Sequence, residues 1–205
     1  MGAVMPAFVA LLRGINVGKA KRIAMADLRA LLAGLGYTNV ATLLNSGNAV
    51  FHAARGSSAA HASAISSAIA ERLKLDVPVI VKSAKEFVAI AAANPMTGQT
   101  INPTRVLIAF AQDSSTLSQL ASIRARVGPP EQFVLGRNAA YFHCPDGILK
   151  SEAAASLLGK LTVTITTRNL TTVQKLLARA GVSGARRSAS SAGSRRRRDQ
   201  APVDA

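Results

Sequence analysis

The chain has 205 residues, 49% of them hydrophobic, and a formal net charge of +15 from 25 Lys+Arg against 10 Asp+Glu. This suits a globular protein with a sizeable core, and no apolar run approaches the ~20 residues of a membrane span. One cysteine excludes an internal disulfide and fits a reducing cytoplasm. With three histidines it cannot supply a His/Cys zinc cage, so no metal or cofactor is expected.

Ala7 to Leu12 is a continuous apolar run, as expected of a central strand. Met25, Leu28, Leu31, Leu32 and Leu35 recur at helical spacing, with Asp27 in the first turn and Gly36 as the stop. Short strands over Val40 to Leu44 and Ala49 to His52 flank Asn45-Ser46-Gly47-Asn48, whose Asn and Gly suit the positive-φ positions of a hairpin turn. A helix over Ala59 to Lys74 and a strand over Pro78 to Val81 complete a βαββαβ order.

The order then repeats. Ser83-x-x-Glu86 is a capping box for a helix that stops at Asn94-Pro95. A strand (Arg105 to Phe110), a helix striped by Leu117, Leu120, Ile123 and Val127, and a hairpin (Gln132 to Leu135, Ala139 to Cys144) follow. A helix around Leu149 to Leu158, a strand over Leu161 to Ile165 and a last helix with Val173, Leu176 and Leu177 end the set. The hairpins rhyme, Asn48 to His52 against Asn138 to His143 with one residue inserted, which points to duplication.

The expected fold is α+β, two ferredoxin-like βαββαβ halves packed as one compact unit. The first half spans 1–82, a connecting helix and linker 83–103, and the second half 104–180. Residues 181–205 read as a disordered Arg-rich tail, with Arg195 to Arg198 in one block and no apolar periodicity. Without it, residues 1–180 keep 19 basic and 8 acidic residues, so the body itself is basic. Weak, non-specific nucleic-acid contact is expected of the tail alone.

In such a sheet the first and second strands run parallel, so Arg13-Gly14-Ile15-Asn16-Val17-Gly18-Lys19 lies beside the Asn45 to Asn48 tip. Gly-rich turns present main-chain N–H groups to anions, and a guanidinium clamps a carboxylate or phosphate. The same Asn and Ser side chains also suit plain satisfaction of neighbouring backbone. Gly14-x-x-x-Gly18-Lys19 is one residue short of a P-loop, and Ala20 stands where Ser or Thr would bind magnesium, so nucleoside-triphosphate hydrolysis is excluded. Adjacent strand residues point to opposite faces, so His143 and Cys144 make no nucleophile pair, and Cys144 reads as core. His52 and His61 read as strand-edge and helix-surface residues. Asn169 is expected to cap the last helix, whereas Arg168, a cation at the positive end of that helix, wants an anionic partner.

VALLRGINVG (Val9 to Gly18), NSGN (Asn45 to Asn48) and TTRN (Thr166 to Asn169) with the TVQKLL helix together resemble the domain of unknown function 1697 family of small bacterial proteins. The resemblance runs from about Phe8 to Ala180. It implies a two-part α+β fold with a ferredoxin-like first half, and it supplies no reaction. Its characteristic polar positions fall on Arg13, Asn16, Asn45, Ser46, Asn48, Arg168 and Asn169. The chain departs from the pattern at Lys19 to Arg22, at Ala24 and at Leu170, which replaces an aromatic.

A small anionic ligand is therefore the leading expectation, held by Arg13, Asn16, Lys19, Asn45, Ser46, Asn48, Arg168 and Asn169, with no catalytic residue assigned. The alternatives are an RNA-binding module and a structural or protein-interaction module. An RNA-recognition sheet needs solvent-facing aromatics, and Phe8 and Phe51 are the only ones on the relevant strands. The face they take discriminates.

Overall fold

The computed structural model describes residues 5–18, 21–98, 100–159 and 164–181. The tail reading and Lys19 lie outside the described residues. The first seven elements are β1 (Ala7–Leu12), α1 (Met25–Gly34), β2 (Thr38–Leu43), β3 (Asn48–His52), α2 (Ser58–Leu73), β4 (Val79–Ser83) and α3 (Ala84–Ala92). The next seven are β5 (Val106–Ala111), α4 (Ser114–Ser118), β6 (Gln132–Leu135), β7 (Ala140–His143), α5 (Glu152–Leu158), β8 (Ile165–Asn169) and α6 (Leu170–Arg179). The fold is mixed α+β. Its two four-stranded antiparallel sheets have the orders β2-β3-β1-β4 and β6-β7-β5-β8.

Three apolar clusters stack through the molecule. On the outer face of the first sheet, Phe8, Ala10, Leu12, Ala49 and Phe51 pack against α1 and α2 through Leu28, Leu32, Ile65 and Ile69. On the outer face of the second, Leu107, Ala109, Phe142 and Cys144 pack against Leu117, Ala153 and Leu157. The middle cluster joins both halves. It takes Val9, Leu11, Val50 and Ile80 from one sheet, and Val106, Ile108, Phe110 and Tyr141 from the other. Helices α3 and α6 enter the same layer through Phe87, Ile90, Val173 and Leu176. Each sheet is thus apolar on both faces, which is why β1 and β5 read as unbroken hydrophobic runs.

Several local expectations need correction. The helix expected over Leu117 to Val127 is only α4, continued as a 3₁₀ stretch from Gln119 to Arg126. Ser118 and Ser122 hydroxyls donate to the carbonyls of Ser115 and Gln119, competing with the α-helical pattern. Leu149 belongs to a one-turn 3₁₀ segment and is 98% exposed. Helix α5 begins later, where Ser151 caps it by accepting from the Ala154 N–H. The last strand is Ile165–Asn169, so Thr166 to Arg168 lie within it; residues 161–163 fall outside the described ones. A β-branched Ile-Thr-Thr run suits a strand, and Asn169 still caps α6, accepting from Thr172 N–H.

His61 is a further correction. It is buried, in edge contact with Phe8, Tyr37 and Phe51, and its Nδ1 shares a 2.9 Å hydrogen bond with the Tyr37 hydroxyl. Its Nε2 has no partner and lies under Gly56. Desolvation holds its pKa below the ordinary value. The unfolded chain therefore binds the proton more readily, and stability should fall as pH drops below about 6.5, the unfolded value. Urea midpoints at pH 7.5 and 5.5 check this. The His61→Phe variant should show a flatter dependence; an equal slope would assign it elsewhere.

The registers reveal an internal two-fold. Val9 pairs with Val50 and Lys82, and Ile108 pairs with Tyr141 and Arg168. Ala7 pairs with His52, and Val106 with His143. Val50 thus matches Tyr141, His52 matches His143, and Lys82 matches Arg168. The extra residue of the rhyme lies before the strand, since Ala49 matches Ala140 without a gap. Ser83 and Asn169 also correspond, and each caps the helix that leaves its fourth strand.

Candidate functional site

Strands β1, β3 and β8 converge where the first half's loops meet the second half. Arg168 faces the middle layer, opposite Ile108, and only 9% of it is exposed. Its Nε donates to Asn48 Oδ1, and Nη1 donates to Thr166 Oγ1 at 2.8 Å and Thr167 O at 2.7 Å. Nη2 donates to Leu12 O at 2.8 Å, Ser46 O at 3.1 Å and Gly47 O at 3.3 Å. All five N–H groups are used, and every acceptor is neutral. Desolvation pulls its pKa down to about 10, leaving the group charged at neutral pH. The conflict expected between Arg168 and the α6 dipole is therefore met by carbonyls and an amide.

Arg13, Asn16, Asn45, Ser46 and Asn48 serve the same junction. Asn48 is fully buried, opposite Leu11, and its Nδ2 donates to Leu43 O and Ser46 Oγ, tying the hairpin to itself. Arg13 is half-buried; its Nη1 donates to Ile165 O at 2.8 Å and its Nη2 to Gly159 O, so it crosses to the second half. Burial lowers its pKa. Asn16, at φ 56, closes the loop by exchanging hydrogen bonds with Ile23 and donates to Asn45 O at 2.7 Å. Asn169 is an N-cap on the far side of β8. The structure brings Arg13, Asn16, Asn45, Ser46, Asn48 and Arg168 together.

In the hairpin, the positive-φ positions are Leu44 (58°) and Gly47 (76°), where Asn and Gly were expected. Asn48 is instead the first residue of β3, and its amide is needed inward.

Sequence reasoning missed Lys82 and Gln112, the counterparts of Arg168 and Arg13. Lys82 is buried on the middle face and its Nζ donates to Gln112 O at 3.0 Å. Desolvation lowers its pKa, while the carboxylates of Glu86 and Asp113 act to raise it. Gln112 follows β5 as Arg13 follows β1. Its side-chain amide accepts from Val81 N–H and donates to Val81 O, capping the edge of β4. Arg13 caps β8 in the same way through Ile165 O. A lone Lys in Val79-Ile80-Val81-Lys82, on the face of Ile80, was the available signal.

Phe8 and Phe51 are buried under the helices and stack at 5.6 Å, so they offer no base-stacking platform. Cys144 is buried, and desolvation pushes its thiol up to about 11. Iodoacetamide at pH 8 should leave the native chain unmodified and alkylate it in urea; rapid native labelling would contradict this. Among the described residues no cluster of three or more His, Cys, Asp or Glu could hold a metal ion, and no helix is long and apolar enough to cross a membrane.

The model of a protein family of unknown function, DUF1697, matches residues 5–141. Among solved structures, a conserved bacterial protein, SP0830 from Streptococcus pneumoniae, is similar at a TM-score of 0.70 and 24% identity. The match covers 86% of this chain and 99% of that one, and it supports the fold. A search of curated proteins finds no match.

Proposed function

We propose that this chain, which belongs to the DUF1697 family of proteins of unknown function, binds a small anionic ligand at the edge formed by residues 13–18, 21–22 and 44–47. One observation carries the reading. The internal two-fold gives the fold two equivalent buried cations, and they are balanced differently. Lys82 has the carboxylates of Glu86 and Asp113 within its field. Arg168 has only neutral acceptors, and neither it nor exposed Lys21 and Arg22 forms an ion pair with a described carboxylate. Lys21 and Arg22 donate to the main-chain carbonyls of Asp76 and Gly18, so two exposed cations stand at this edge beside buried Arg168, which favours an incoming anion. Gly14 and Gly18, at φ 68° and 63° with nothing within 4 Å of an added Cβ, leave the main chain open to approach.

Arg13 and Arg168 hold the two halves together, so the test falls on the exposed cations. Inorganic phosphate at tenfold its Kd should stabilise the chain by about 1.4 kcal/mol, raising Tm by about 3–6 °C over chloride at equal ionic strength. Lys21→Gln with Arg22→Gln should lose most of that shift without lowering the ligand-free Tm, because exposed charges contribute little to folding. Equal shifts in both proteins would remove the site and favour a structural role for the edge.

A further inference from the structure

We infer that β6 is an interface with a second copy of this chain, paired antiparallel across a two-fold axis through Val134. The sheets end on β2, β4, β6 and β8. On β4 the Gln112 side chain takes the N–H and carbonyl of Val81, and on β8 Arg13 takes the Ile165 carbonyl. Strand β2 is bulged between Thr38 and Ala41, with Asn39 at φ 51°. Such devices keep a sheet edge from pairing. Strand β6 has none of them. Its sequence Gln-Phe-Val-Leu holds no charge and no proline, its register is unbroken, and Val134 is 40% exposed. Among the described residues no hydrogen bond reaches its outer side.

The register follows from main-chain alternation. Gly136 N–H donates to Ala139 O at 2.9 Å, so Gly136, Val134 and Gln132 turn their main-chain groups toward β7. Phe133 and Leu135 turn theirs outward. Two copies must therefore pair outward residue with outward residue, which puts a residue on the axis. With Val134 there, Phe133 and Leu135 exchange main-chain bonds with Leu135 and Phe133 of the second copy. Glu131 then lies opposite Arg137 of that copy, and Arg137 opposite its Glu131. Moving the axis to Phe133 or Leu135 would set Arg137 against Pro129 or Phe133 instead. The Val134 axis is thus the one of these that joins opposite charges, which favours pairing when they stand directly across a ladder. Neither side chain has an ion-pair partner among the described residues of its own chain. Glu131 also lines a cavity of about 390 Å³ with Asp146, Glu152, Arg126 and Lys150, where carboxylates outnumber cations and a guanidinium from the second copy fits.

An edge contact over one short strand is a weak interface by size, so a covalent trap is the sensitive readout. Opposed residues of a non-hydrogen-bonded pair have Cα atoms about 4.5 Å apart, inside the disulfide range of about 4.4–6.8 Å. Val134→Cys in the full chain, in a glutathione redox buffer, should therefore cross-link to a dimer. Gln132→Cys is the control, because its Cα atoms stand about 13 Å apart in this register, and it should cross-link at least about tenfold more slowly. Native Cys144 is buried and stays out of the reaction. In the Val134→Cys chain, Glu131→Arg or Arg137→Glu alone should slow the cross-link, since each sets like charges opposite one another. Mixing those two proteins should restore the rate, because every opposed pair in the mixed dimer is again of opposite sign. Equal rates for Val134→Cys and Gln132→Cys would overturn the interface, and so would a mixture no faster than its components.

Discussion

Replacing Arg168 with Met is expected to destabilise the protein by about 3–5 kcal/mol, the cost of removing one partner from a buried charged network. The guanidinium is the common donor to Leu12, Ser46, Gly47, Asn48, Thr166 and Thr167, which belong to three strands and one hairpin. A thioether fills the volume but donates nothing, and each stranded buried acceptor costs about 1–3 kcal/mol before relaxation. Arg168→Lys should recover little, because an ammonium cannot reproduce a planar fork spread over six acceptors. The control is Arg29→Gln, an exposed residue bonded only to Thr42 Oγ1, which should change stability by less than about 0.5 kcal/mol. Guanidinium denaturation measures all three. A loss below about 1 kcal/mol for Arg168→Met would mean that the middle layer holds the halves without the clasp.

Periodicity made the architecture legible, since apolar spacing separates a run such as Ala7–Leu12 from a stripe such as Leu28, Leu31 and Leu32. The capping residues were equally readable, because Ser83 and Asn169 act within three residues of themselves. The end of the last strand was not, because Thr166 and Thr167 read equally well as a turn, whereas the strand runs on to Asn169. The site was harder for a definite reason. A polar side chain in a Gly-rich turn has the same signature whether it points to a ligand or to a neighbouring half. Strand alternation about Leu11 places Asn48 inward, but this requires the β1–β3 register, which sequence does not supply. The partnership of Arg168 with Leu12 spans 156 residues and depends on how the sheets pack. The internal two-fold was only hinted at by the hairpin rhyme. Its informative half, Lys82 with Glu86 and Asp113, carries no rhyme with Arg168 at all.

The same geometry makes Gly47 the most constrained glycine of the hairpin. Its φ of 76° imposes a left-handed backbone, which costs a residue with a Cβ about 1–2 kcal/mol. A Cβ there would also stand 2.7 Å from Leu12 Cβ and 2.9 Å from Ile15 Cδ1. The Ile15 methyl sits at the end of a flexible side chain and can rotate away. Leu12 Cβ cannot, because Leu12 N–H donates to Gly47 O at 2.8 Å and fixes the two backbones together. Overpacking of this kind adds about 1–3 kcal/mol, so Gly47→Ala is expected to lose about 2–5 kcal/mol in all. Gly18→Ala separates strain from space, since Gly18 has a similar φ of 63° but nothing within 4 Å of an added Cβ. It should lose only the backbone share, about 1–2 kcal/mol. Equal losses in the two variants would show that Leu12 yields, and that the hairpin is free to move away from β1. A larger loss at Gly47 would instead fix the Ser46 and Gly47 carbonyls where Arg168 needs them, because the contact that excludes a methyl group also aims those acceptors.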